Sequence, residues 1–244
     1  VCDTGIEIIL GGVVVALTED LTQEVKNIFA TSWQERDGLK VPEAEDVKLG
    51  NDAVKLQATV LYADLAESTN LVDGYKAWFA AEVYKSYLHC ASKIIRDEGG
   101  LITAFDGDRV MAVFTGDSKD TSAARCALKM NHAVVQIINP AIKARFSNTP
   151  YSMKHSVGVD TSPLFVARTG IRGSNDLVWV GRAANYAAKL CSLRESNYAS
   201  YVTCDVYDNM GDVIKVSSNR SMWERRTWTE KKITVYRSNW MWKP

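Results

Sequence analysis

The order strand, helix, strand, strand, helix, strand predicts an α+β chain of ferredoxin-like type: an antiparallel sheet with helices on one face and an N-terminal helical arm. Two observations carry that reading. Residues 53–65 and 101–114 are apolar, strand-like runs, and the second is broken at Asp106-Gly107-Asp108 as a hairpin would be. Between them Phe79, Val83, Tyr87, Ala91 and Ile95 recur every four residues, which is one face of a helix. No stretch after Asn51 is rich enough in Pro, Gly or Ser to divide the chain. Residues 53–244 therefore read as one domain, preceded by an arm over 21–52 and by an apolar extension over 1–20 that is flexible or non-native.

Taken in order, residues 21–35 predict an amphipathic helix with Leu21, Val25, Ile28, Phe29 and Trp33 at helical spacing, capped by Thr18 or Asp20. Residues 37–51 hold Gly38, Pro42 and several acids and read as a connector on the surface. In the strand over 53–65, Val60, Tyr62 and Asp64 share one face. The long helix runs from Thr69 towards Glu98 and ends at Gly99-Gly100. A second helix spans 122–138 and stops at Asn139-Pro140. Strands follow over 151–159 and 177–180. An alanine-rich helix over 182–194 buries Ala183, Ala187, Leu190 and Cys191, and late strands span 201–207 and 233–242.

The 244 residues suffice for a substantial core, and 29 basic residues balance 29 acidic ones, which argues against a general nucleic-acid or membrane-surface binder. Five scattered cysteines form no CxxC, and Cys90, Cys126 and Cys191 fall within apolar helical patterns, so a reducing, cytoplasmic setting is expected. The apolar stretch 6–17 is shorter than the roughly 20 residues a membrane-spanning helix needs. It also lacks the basic start of a signal peptide. His89, His132 and His155 have no ligand spacing, and Trp223, Trp228, Trp240 and Trp242 predict core packing.

Chemistry concentrates at two aspartates, Asp64 and Asp108, each set in an apolar run. An ionised carboxylate is costly to bury unpaired. A divalent cation held by both would answer that cost, since Mg²⁺ typically takes one or two carboxylates plus substrate phosphates. Each aspartate alone reads equally well as a turn residue. Together, with Ser68-Thr69 opening a helix just after the first, they favour the metal.

Three stretches resemble the class III nucleotidyl cyclases. Leu61-Tyr62-Ala63-Asp64-Leu65-Ala66-Glu67-Ser68-Thr69 is similar to the family's first metal motif. Gly107-Asp108 followed by an apolar strand is similar to the second, 44 positions on. Gly181-Arg182-Ala183-Ala184-Asn185-Tyr186-Ala187-Ala188-Lys189-Leu190 is similar to its asparagine-bearing helix. The resemblance implies the class III cyclase fold, with two Mg²⁺ or Mn²⁺ ions on Asp64, Asp108 and the Leu65 carbonyl. It also implies phosphates on Ser68 and Thr69 at a helix N-terminus and Asn185 orienting the ribose. The active sites of this family lie between two chains, so a homodimer is expected.

Two features depart from the purine cyclases. Lys189 replaces the usual arginine four residues after the asparagine, keeping the charge and losing the bidentate fork. Ala104 and Val178 occupy the places of the residues that read a purine edge. With Tyr62 and Arg109 as candidate base contacts, the sequence most resembles the pyrimidine cyclases of bacterial Pycsar anti-phage systems. That resemblance implies cyclisation of UTP, with CTP next, and a cyclic product acting on a separate effector. Two alternatives stay open: an adenylyl cyclase with an unusual base pocket, and a catalytically silent nucleotide-sensing dimerisation module.

Overall fold

The computed structural model describes residues 17–195 and 197–244. Most of the expected apolar extension therefore lies outside the described residues. In chain order the elements are α1 Leu17–Ala30, β1 Gln34–Gly38, β2 Asp52–Leu65, α2 Ser68–Gly74, α3 Ala77–Asp97, β3 Leu101–Asp106 and β4 Arg109–Phe114. Then come α4 Lys119–His132, a π-helical segment Ala133–Ile138, α5 Asn139–Arg145, β5 His155–Ile171, β6 Ser174–Val180 and α6 Arg182–Cys191. The chain closes with β7 Ser200–Thr203, α7 Cys204–Asn209, the small pair β8 Val216–Ser217 and β9 Arg220–Ser221, β10 Glu224–Trp228 and β11 Ile233–Ser238.

The expected α+β order is present around one main sheet, ordered β10-β11-β7-β5-β2-β4-β3, with β1 added to β2 and β6 to β5. Most of its ladders are antiparallel, and β1–β2 and β5–β7 are parallel, so the sheet is mixed. Strand β2 is the spine, because it pairs with β5 along 13 positions and with β4 beyond it. Its side chains alternate between two cores. Leu61, Ala63 and Leu65 pack under α3 and α4. Val54, Leu56, Ala58 and Val60 pack with Ala183, Ala184 and Ala187 of α6. Helices thus cover both faces rather than one: the odd-numbered face of β2 is filled by long side chains, and the even-numbered face accepts an alanine-rich helix at close range. Gly158 on β5 permits that approach, since a Cβ there would sit 2.1 Å from the Ala187 carbonyl oxygen and 2.4 Å from the Cys191 nitrogen.

The helical stripe of α3 is buried as its spacing predicts, and Gly99 takes a left-handed φ of 78° while the Gly100 amide closes back onto the Ile95 carbonyl at 2.8 Å. Trp223 and Trp228 are buried, and Trp240 and Trp242 pack onto the larger core. Cys126 and Cys191 are buried free thiols, and Cys90 is half-buried.

Several expectations are corrected. The arm helix ends at Ala30, and Trp33 and Glu35 do not continue it: residues 34–38 pair in parallel with 52–56 as β1. Thr18 and Asp20 lie inside α1 and so do not cap it. The connector is anchored rather than loose, because Asp52 accepts from Arg36 at 2.6 Å and from the Lys48 amide at 2.8 Å, and Val47 is buried. The helix after Ser122 does not stop at Asn139-Pro140. It widens into the π-helical segment and re-forms as α5 with Pro140 in the first turn, where its missing N–H costs nothing. Asn139 then takes both backbone groups of Met153, at 3.0 and 2.7 Å, which holds residues 151–154 out of the sheet and starts β5 at His155. The strand expected over 201–207 turns into α7 after Thr203, and β10 was not expected at all.

Candidate active site

Asp64 is the penultimate residue of β2 and only 4% exposed. The ladder pairs Ala63 with Val110, so the β3–β4 hairpin overhangs the end of β2 and sets Arg109 beside Asp64 and Asp108 just beyond it. Asp108 is not inside a strand. It occupies the two-residue turn between Asp106 and Arg109, with Gly107 at φ 59°, so the hairpin and the carboxylate pair are the same feature.

The two carboxylates have different surroundings. Oδ2 of Asp64 accepts from Arg109 at 3.2 Å and from Arg194 at 2.7 Å. Oδ2 of Asp108 is buried with no hydrogen-bond partner. Burial raises the pKa of Asp108, and the charge of Asp64 raises it further, against an opposing pull from its own backbone amide, Ser68 and Arg194. An orphaned buried carboxylate oxygen next to a second carboxylate is a donor set that suits a hard divalent cation. Among the described residues no cluster of three or more His, Cys, Asp or Glu forms, so water, backbone carbonyl or substrate oxygens would complete such a site.

Ser68 and Thr69 open α2 directly after Glu67, which takes a left-handed φ of 62° to turn the chain from strand into helix. Leu65 is fully buried at the strand end. Tyr62 is half-buried on the Asp64 face, and burial raises its hydroxyl pKa while Arg109 lowers it. Tyr84 of α3, which no spacing pointed to, borders Ser68 and Asp108; burial first and Asp108 second raise its pKa. Arg194 was also missed: it lies 130 residues from Asp64 in sequence, and only the seating of α6 along β5 brings it there. The marker for that seating is Cys191, whose thiol donates to the Ser156 carbonyl at 3.1 Å, opposite Asp64 in the ladder.

The remaining candidates lie elsewhere in the chain. Asn185 and Lys189 share the outer face of α6, opposite its buried Ala183, Ala187 and Leu190 stripe. Lys189 meets Glu230 at 3.0 Å. Among the described residues no hydrogen bond or ion pair joins either one to Asp64 or Asp108. Val178 on β6 pairs with Ala167, which pairs with Ala53 at the far end of β2. Eleven residues of strand separate that level from Asp64, roughly 36 Å at 3.3 Å per residue. Ala104 is exposed on β3 beside a register shift between Ile102 and Ala104. One chain thus assembles the carboxylates, Ser68, Tyr62 and Arg109, while among the described residues Asn185, Lys189 and Val178 make no contact with them.

No protein-family model matches the chain. It is 52% identical over 229 residues to a uridylate cyclase of Xanthomonas perforans, covering 93% of this chain and 98% of that protein. It is 51% identical over 229 residues to a uridylate cyclase of Burkholderia cepacia, covering 93% and 99%. In fold it is similar to a bacterial light-regulated adenylyl cyclase, with a TM-score of 0.65 at 22% identity over 76% of this chain and 91% of that one. A dimeric guanylyl cyclase domain from the fungus Blastocladiella emersonii gives 0.60 at 12% identity over 75% and 97%. No described helix is long and apolar enough to cross a membrane. With the fold of the class III cyclases and about half of its residues shared with proteins it matches over nearly their whole length, the chain belongs to the uridylate cyclase family of nucleotidyl cyclases.

Proposed function

We propose that this enzyme converts a pyrimidine nucleoside triphosphate, UTP before CTP, into the 3′,5′-cyclic monophosphate and pyrophosphate. The observation that carries the reading is the near full-length identity to uridylate cyclases. It is supported by two neighbouring carboxylates, Asp64 buried and Asp108 half-buried, with the buried Oδ2 of Asp108 left without a partner. Asp64, Asp108 and the Leu65 carbonyl would hold two divalent cations, Mn²⁺ or Mg²⁺. Such cations, when bound, make the ribose 3′-hydroxyl a better nucleophile and offset the triphosphate charge.

The chain's own groups do the rest. Ser68, Thr69 and the amides opening α2 hold phosphate oxygens. The 3′-oxygen attacks the α-phosphorus in line, and pyrophosphate leaves. Asn185 orients the ribose, and Lys189 gives up Glu230 to face the charge that develops on the transferring phosphoryl group. Because Asn185 and Lys189 are exposed on α6 and no described contact joins them to Asp64 or Asp108, these two residues serve the site of a second copy, which makes the working unit a homodimer. The α1 helix, whose Leu21, Val25, Ile28 and Phe29 are all exposed, is available to that interface. Tyr62 and Arg109 offer a phenol and a guanidinium to the base. Ala104 and Val178 leave out the polar pair that a purine edge needs, and a site lacking such partners discriminates poorly for purines. The cyclic product is a cytoplasmic second messenger for a separate effector in anti-phage abortive infection.

The test is product analysis with ATP, GTP, CTP and UTP in Mn²⁺. Cyclic UMP or CMP from the wild type and none from a folded Asp64→Ala variant is the expected result. Cyclic AMP as the main product would refute the pyrimidine assignment and keep the mechanism. A dimer that survives deletion of residues 1–50 unchanged would remove α1 from the interface.

A further inference from the structure

Arg194 has no place in the family motifs, yet it makes the shorter of the two contacts to Asp64, 2.7 Å against 3.2 Å for Arg109. Two guanidinium groups share one oxygen of Asp64, while Oδ2 of Asp108 accepts from neither. The four groups together carry no net charge. Cations on the carboxylates would leave both arginines in search of new anionic partners.

The two arginines differ in freedom. Arg109 is fixed by the β4 ladder. Arg194 follows the end of α6 in irregular chain, at a left-handed φ of 44° that a non-glycine residue holds only at a cost. Its side chain also lines a cavity of about 370 Å³ with Ala66, Glu67, Lys154, His155 and Tyr198. The cavity shares its wall with the turn that leads into Ser68 and Thr69. The acids that border it are already engaged: Glu67 meets Lys154 at 3.5 Å, and Glu195 is held by Arg237 and Arg226. Arg194 is therefore the cation of this cavity whose described carboxylate partner is Asp64 itself.

We propose that Arg194 is a triphosphate-binding residue, held on Asp64 until divalent cations and a polyphosphate arrive, when it exchanges the carboxylate for phosphate oxygens. A guanidinium fork suits that exchange, because it matches carboxylate and phosphate geometry alike. The inference rests on the reading of Asp64 and Asp108 as a cation site.

Two binding titrations of the full-length, nucleotide-free protein test it, both independent of turnover. In the first, Mn²⁺ alone is titrated with free ion read by electron paramagnetic resonance; Arg194→Ala and the longer Arg194→Gln bind Mn²⁺ several-fold more tightly than wild type, since a competitor is gone. In the second, inorganic tripolyphosphate is titrated calorimetrically at saturating Mn²⁺; both variants bind it about tenfold more weakly, the loss of one charge-assisted fork. Wild-type affinity for tripolyphosphate in either folded variant, or Mn²⁺ affinity that stays the same or falls, overturns the proposal. Tripolyphosphate has neither base nor ribose. Arg194-dependent binding of it by a protein that cyclises no nucleotide would uphold this inference while refuting the cyclase function. Normal UTP cyclisation with normal tripolyphosphate binding in Arg194→Ala would do the reverse.

Discussion

His155 should make the stability of this protein sensitive to mild acid. Its ring is enclosed beneath α3, with Nδ1 3.3 Å from the Tyr87 hydroxyl and Nε2 3.5 Å from Oδ1 of Asn131. Both contacts suit a neutral ring, Tyr87 donating to Nδ1 and Nε2–H donating to Asn131. The Asn131 amide nitrogen donates to the Asn239 and Trp240 carbonyls, which keeps its Oδ1 turned to Nε2, so a second proton would have to enter on Nδ1 against the Tyr87 hydroxyl donor. Burial pushes the pKa of His155 down from 6.5 to about 4. The unfolded chain binds this proton near pH 6.5 and the folded chain only near pH 4, so the stabilisation is complete above pH 6.5 and is lost as the pH falls through that window. A shift of this size is worth about 3 kcal/mol, at about 1.4 kcal/mol per pH unit, with most of it gone by about pH 4.5. Urea unfolding of wild type and His155→Gln at half-unit intervals from pH 7.5 to 4.5 reads it directly. The variant should start less stable and lose less on acidification, so that the two stabilities converge by about 2 kcal/mol or more. Parallel curves would show that His155 titrates normally in the folded state and would refute the burial argument.

Three further outcomes follow from packing and charge. Lys129 lies nearly buried between Glu98 at 2.7 Å and Asp97 at 2.9 Å, and Lys129→Ala leaves the buried Glu98 with Arg125 alone; a loss of about 3 kcal/mol is expected in denaturant melts, and Lys129→Ala with Glu98→Gln should recover part of it. Gly158→Val drives a side chain into the backbone of α6, so it should lower the melting temperature by several degrees and abolish nucleotide turnover together, as measured by calorimetry and product assay. Thr203→Val removes a donor 2.6 Å from the fully buried Asp160 and should cost about 1–3 kcal/mol, whereas Arg182→Lys, at a half-exposed position that also meets Asp205, should cost less in the same melts.

Local signals located the two carboxylates and the helices because each signal is short-ranged. A two-residue period placed Tyr62 and Asp64 on one face, and a Gly-Asp step before an apolar run marked the hairpin that carries Asp108. The same logic failed where a distant partner decides the conformation. Residues 34–38 carry a polar, charged sequence and become a strand only because the edge of β2 is open to receive them. Pro140 looks like a helix stop until the Asn139 side chain is seen to clamp Met153 and a π-helical turn absorbs the break. Residues 204–207 look like strand, yet Arg182 binds Asp205 at the first turn of α7.

By itself the sequence determined the fold class and the family resemblance and singled out the two aspartates, because each of these is assembled from short local motifs. Tertiary structure alone decided the charge balance around that pair and the exposure of Asn185 and Lys189 on α6. Those depend on the register of β2 against β4 and on the close approach of α6 to Gly158. That packing brings Arg194 onto Asp64 from 130 residues away and turns Asn185 and Lys189 outward, and no local periodicity encodes either result.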